Sequence, residues 1–146
     1  MTPAASPPLP PAGFGSLLRR MIELLNERLG PAQRQQLAAA MPQIRWDFPD
    51  EASSLHLVAE RDSLRVAEAA GPAGLLVRMR RTTLEDAVFG RRSLTSAFLA
   101  GHVHVRGLSP LRLREFILLI DPLLESYREA HRDVCRDGLP AAPLVP

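Results

Sequence analysis

The stretch AFLAGHVHVRG, residues Ala97 to Gly107, sets His102, His104 and Arg106 at alternate positions. Alternate residues of a β-strand project to one side, so these three would share a face, with Val103 and Val105 on the other. A His-x-His pair on a strand is half of a zinc site, which needs three or four nitrogen, sulfur or carboxylate ligands. His56 and His131 are not spaced to complete it, and the chain has neither a His-Glu-x-x-His motif nor a cysteine pair. No serine lies in a Gly-x-Ser-x-Gly elbow, so a hydrolytic triad has no anchor either. The histidines are therefore assigned to a solvent face, and no catalytic residue, metal ligand or cofactor is expected.

Arginine is the other chemically active type. All 18 basic residues are arginine, and 16 acids leave a net charge of only +2. Arg78, Arg80 and Arg81, with Arg91 and Arg92, form either a patch for phosphate or anionic lipid or simply a solvated rim. With one Trp and one Tyr in the chain, and Trp46 apart from the arginine clusters, stacking on nucleic-acid bases has little support. Nucleic acid is excluded as an expected partner. Cys135 is the single cysteine, which rules out an internal disulfide and a multi-thiolate zinc site and leaves a buried or inert thiol, ahead of a bridge between molecules.

These residues need a scaffold. At 146 residues and 46% hydrophobic content the chain suits one core, and its proline-rich ends suit extended chain. The division expected is residues 1–13 as a Pro-rich tail, 14–136 as a single domain, and 137–146 as a second tail. No segment pairs a charged start with a long apolar run, and none approaches the roughly 18 apolar residues of a membrane span. A soluble, cytoplasmic protein with at most transient membrane contact is the expectation.

Periodicity supplies the elements. Leu17, Leu18, Met21, Leu24, Leu25 and Leu29 recur at helical spacing from Ser16, a candidate N-cap, to Gly30-Pro31, and a short helix from Ala32 to Met41 follows. Four alternating runs come next, Gln43–Phe48, Ser54–Glu60, Ser63–Ala69 and Leu75–Arg80, and read as a meander with one greasy face. Thr82 with Glu85 forms a capping box for a helix ended by Gly90; Ser93 begins another short helix; His102–Gly107 is a fifth strand. A long helix starts at Ser109-Pro110, with Leu108 and Leu113 at staple spacing and a kink or restart expected near Asp121, because Pro122 lacks a donor. The fold class is α+β: a five-stranded mixed sheet covered on one face by helices.

The segment TLEDAVFGRRSLTSAFLAGHVHVRG, followed by a leucine-rich helix, resembles the sterol carrier protein family, the lipid-transfer domains of the type-two sterol carrier class. Gly90, Ala97, Phe98, Gly101, Val103, Val105 and Gly107 fall on the family pattern, and IRWDF with the strands after it is similar to the family's opening strands. The similarity covers roughly Gln43 to Leu124. It departs from the family at His102 and His104, where lysines are usual, and in an added amino-terminal helical segment and a long carboxyl-terminal helix. What the resemblance implies is a hydrophobic tunnel between sheet and helices that accepts a fatty acid, acyl-CoA, sterol or other lipid, with no covalent catalysis. Its expected lining is Phe89, Phe98, Val103, Val105, Phe116, Leu119, Ile120 and Leu123, the last four on one helical stripe. Burying about 12 methylenes at ~0.8 kcal/mol each is enough for micromolar binding.

Two further readings stand beside this carrier. One is an accessory subunit of a lipid or quinone biosynthetic complex that uses the fold to dock a protein partner or a second copy of itself. The other is a small hydrolase or metal enzyme built on the histidine pair.

Overall fold

The computed structural model describes residues 13–60, 63–67 and 74–137, except for the side chains of 135–137. The proposed tails lie outside the described residues except at Gly13 and Asp137, which belong to helices, and so does the Cys135 thiol.

Strands β1 (Gln43–Phe48), β2 (Ser53–Ala59), β3 (Leu64–Ala67), β4 (Leu75–Met79) and β5 (Val103–Arg106) form one mixed sheet in the order β3-β2-β1-β4-β5. β1, β2 and β3 are an antiparallel meander, but β4 does not continue it. It crosses over to pair parallel with β1, and β5 closes antiparallel against β4. The four-strand meander is thus corrected, and burial gives the reason. Ile44, Trp46 and Phe48 of β1 and Leu75, Val77 and Met79 of β4 are all buried, and side by side at the centre they are covered from both edges. Placed beside β3, β4 would have begun an edge with its apolar row.

Among the described residues five α-helices accompany the sheet: α1 (Gly13–Arg28), α2 (Pro31–Ala40), α3 (Arg81–Val88), α4 (Leu94–Leu99) and α5 (Pro110–Asp137). α1 begins ahead of Ser16, because Phe14 is itself a core residue, packed edge-on against Phe48 with ring centres 5.0 Å apart. α1 packs along α5, and Arg28 of α1 reaches Ser126 at 3.0 Å and Glu129 at 2.6 Å on α5. At the far side of the sheet, Asn26 of α1 donates to the Leu64 carbonyl and accepts from the Leu64 amide, both at 2.7 Å. One helix side chain thus supplies edge strand β3 with the hydrogen bonds that another strand would have made.

The helix starts depart from the sequence pattern in one instructive place. Thr82 is not the cap of α3. The carboxylate of Asp50, from a single 3-10 turn at Pro49–Glu51, accepts from the amides of Arg81 at 2.8 Å and Thr82 at 3.4 Å. Glu85 is released from the expected capping box and turns inward. Ser93 does cap α4, accepting from the Ser96 amide at 3.0 Å, and Ser109 accepts from the Arg112 amide at 3.2 Å. Leu108 and Leu113 remain exposed, so the staple is not buried. α5 runs unbroken through Pro122; the carbonyl that loses its donor belongs to Leu118, on the exposed side where water can satisfy it.

Where α2, β4, β5 and α5 meet, Arg112 acts as a clamp. Its guanidinium donates to the carbonyls of Ala40 at 3.0 Å, Gly74 at 2.9 Å and Gly107 at 2.8 Å. Gly107 sits in the left-handed region at φ +91°, and a Cβ there would come within 2.2 Å of the Gly74 carbonyl oxygen.

Candidate functional site

The sheet's helix-facing side carries a lateral row fixed by strand register, Leu55, Trp46, Val77 and Val105. Phe116 of α5 lies on Trp46 with ring centres 5.9 Å apart. Trp46 is 2% exposed, and its indole nitrogen is buried with no acceptor within reach among the described residues. An unmet donor of this kind costs about 1–3 kcal/mol, so the middle of the apolar face holds one polar atom ready for a partner.

The expected lining residues divide into three groups around this point. Val103, Leu119 and Leu123 are buried in the core cluster, while Val105, Phe116 and Phe89 are half-buried against it. Ile120 is half-buried on the same helix as Phe116. Phe89 stands edge-on to His131 with ring centres 5.2 Å apart. Phe98 is the most exposed of the set, at 48%, and borders a groove along β4 and β5 that Val103 and Val105 also line.

A second polar centre was hidden in the sequence. Glu85 is buried between α3 and α5, accepting from Tyr127 at 2.5 Å and from Arg81 at 2.9 Å, with His131 Nε2 at 3.9 Å. Burial works against the Arg81 charge, but the Glu85 partnership outweighs it and holds the guanidinium above its ordinary value. Burial and then the Glu85 carboxylate push the Tyr127 phenol well above its usual range. The signals available were Arg81/Glu85 and Tyr127/His131, each one helical turn apart. Glu85 was instead matched to a capping motif of equal local merit.

His131 is held below its ordinary 6.5 by burial, with Glu85 opposing and Arg81 reinforcing that shift. The unfolded chain accepts a proton near pH 6.5 that the folded imidazole refuses. Stability is therefore intact above that pH and declines as pH falls through it toward the lower folded value. Thermal melts across this interval should show a steeper loss for the parent than for His131→Gln; parallel curves would assign the pH dependence to other groups.

The opposite side of the sheet is polar. Register places Asp47, Arg78 and His104 in one row and Arg45, Leu76 and Arg106 in the next. Asp47 is pushed up by partial burial, yet hydrogen bonds from Ser54 and Arg45 and the nearby Arg78 charge hold its carboxyl below the usual value. The groove along β4 and β5, about 950 Å³ and open to solvent, is bordered by Arg78, Arg80, His102, His104 and Arg106. Of the two readings of Arg78, Arg80, Arg81, Arg91 and Arg92, a single patch of these five does not form. Arg81 is drawn inward to Glu85 and Arg91 pairs with Asp86 at 2.8 Å, while Arg106 joins Arg78 and Arg80 instead. His102 and His104 are exposed, and among the described residues no three His, Cys, Asp or Glu side chains converge as a metal site. None of the described helices is long and apolar enough to cross a membrane.

No family model and no curated protein matches the chain. Solved structures do. UbiJ-SCP2, a ubiquinone synthesis protein, is similar at 26% identity and a TM-score of 0.54 over 77% of this chain and 94% of its own. Sterol carrier protein 2 is similar at 15% identity and a TM-score of 0.51 over the same shares, 77% and 94%. The inverting sec-alkylsulfatase Pisa1 from Pseudomonas sp. is similar at 24% identity and a TM-score of 0.52, over 68% of this chain. The chain spans only 16% of that enzyme's length, so the likeness concerns one segment of it. Crossover sheet, helix layer and neighbours agree: the chain is an α+β domain with the sterol carrier protein 2-like fold.

Proposed function

We propose that the protein is a non-catalytic carrier whose single domain, residues 14–136, holds a hydrophobic small molecule between sheet and helices. The fold likeness supports this class, and the unpartnered indole nitrogen of Trp46 is the observation that carries it. A fatty acid, acyl-CoA, sterol or other lipid presents one or two oxygens on an apolar body. One such oxygen accepts from Trp46 while the body lies against Phe116, Val105, Ile120 and their buried neighbours Val103, Leu119 and Leu123. Pockets of this kind are mostly apolar, with few polar groups fixing orientation.

Trp46 also makes the test simple, because it is the chain's one tryptophan. A fatty acid brominated along its chain quenches indole fluorescence only in near contact. The brominated acid should quench Trp46 saturably at micromolar concentrations, as expected for burial of about 12 methylenes, whereas the unbrominated acid should not. Absence of quenching under saturating conditions would falsify the assignment.

The accessory-subunit reading has one observation in its favour, the likeness to a ubiquinone synthesis protein combined with Leu111, Leu113, Ile117 and Leu118 standing exposed on α5. Native mass spectrometry separates the two readings. A retained lipid mass favours the carrier, and a lipid-free chain that assembles with a protein partner or with itself favours the subunit.

A further inference from the structure

The groove on the sheet's polar side has a composition that points to its occupant. Among the described residues its border contains Arg78, Arg80, Arg106, His102 and His104 and no carboxylate. Arg78, Arg80 and Arg106 are exposed, and no ion pair among the described residues engages them. Asp47, which shares a cross-strand row with Arg78 and feels its charge, makes its hydrogen bonds with Arg45 at 2.8 Å and Ser54 at 2.7 Å. At the rim, α4 ends in two large apolar side chains turned to solvent, Phe98 at 48% and Leu99 at 79% exposure. Leu99 is the more exposed of the two, and neither is needed to fill the core.

We propose that this face docks on an anionic lipid bilayer, with Arg78, Arg80 and Arg106 against the headgroup phosphates and Phe98 and Leu99 entering the interfacial layer. An extended cationic face suits a field of negative charge, and adjacent apolar tips suit a boundary where headgroups meet acyl chains. A nucleic-acid strand would use the arginines but gain nothing from a leucine tip. An acidic protein would use the charges without needing two apolar side chains at one end. Docking here engages the polar side of the sheet and leaves the helix-covered side, where the cargo is proposed to lie, free of the contact. It does not depend on whether cargo is bound.

Sedimentation with phosphatidylcholine vesicles, with and without phosphatidylglycerol, tests it directly. The protein should sediment only with the anionic vesicles, and the interaction should weaken as salt rises. Arg78→Gln/Arg106→Gln should bind roughly 25-fold more weakly, about fivefold for each arginine near an anionic surface. Phe98→Ser/Leu99→Ser should lose several-fold in affinity while keeping the salt dependence. Arg19→Gln/Arg132→Gln removes the same charge from exposed positions on α1 and α5 and should bind within twofold of the parent. All these positions are exposed, so circular dichroism should report an unchanged fold. The proposal is overturned by equal binding to neutral vesicles, by equal losses in the two arginine double variants, or by retention on heparin without sedimentation on anionic vesicles.

Discussion

Gly107→Ala should lower the unfolding free energy by about 2–5 kcal/mol, read from urea denaturation. Two costs combine. Placing an L-residue in the left-handed region costs about 1–2 kcal/mol, and overfilling a packed site adds roughly 1–3 kcal/mol. The second applies in full because the new methyl would meet the Gly74 carbonyl oxygen at 2.2 Å, and that carbonyl is held in place by Arg112. Gly90→Ala provides the comparison: it too has positive φ, at +77°, but nothing lies within 4 Å of its would-be Cβ. It should show the conformational cost alone. Similar losses at the two positions would mean that the contact between Gly107 and Gly74 relaxes freely and does not hold β5 to β4.

Glu85→Ala should cost about 3–5 kcal/mol, the amount typical of breaking a buried ion pair by removing one partner. Tyr127, fully buried, would lose its acceptor, and the Arg81 side chain, 12% exposed, would keep only the longer contact to Glu51 at 3.4 Å. The companion variant Arg81→Met/Glu85→Leu/Tyr127→Phe removes the polar atoms together. It should recover most of the loss, since matched apolar replacement of such a cluster is often neutral. A triple variant as unstable as the single one would show that packing around the cluster, and not unpaired charge, sets the penalty.

Much of the architecture was written in local pattern. β1 was legible to the residue from the alternation in QIRWDF, and Ser93 and Ser109 declared their helices because a capping hydroxyl acts within one turn. What escaped was non-local. The place of β4 beside β1 depends on pooling two apolar rows at the sheet centre, which no window containing only one strand can express. The cap of α3 comes from Asp50, distant in the chain, so Thr82 and Glu85 satisfied a motif that the folded protein had no need of. The candidate sites divide in the same way. The stripe of Phe116, Leu119, Ile120 and Leu123 follows from helical spacing, whereas the importance of Trp46 rests on a missing acceptor, visible only once its surroundings are assembled. The cationic groove likewise joins arginines of two strands through their register.

The seam between α1 and α5 also bears on how the chain is made. Arg20 finds Asp133, and Arg28 finds Ser126 and Glu129, at sequence separations of 113, 98 and 101 residues. During synthesis α1 emerges with Leu17, Leu18, Leu24 and Leu25 uncovered, and much of what will cover it is translated only after the whole sheet. At about 5–20 residues per second, α1 spends several seconds as a greasy amphipathic segment without its mate. Closing so long a loop is also entropically slow, which places docking of α1 on α5 late in folding. A ribosome stalled before α5 should therefore hold a nascent chain that is protease-sensitive and bound by chaperones through its first helix, and completion of the last helix should release it.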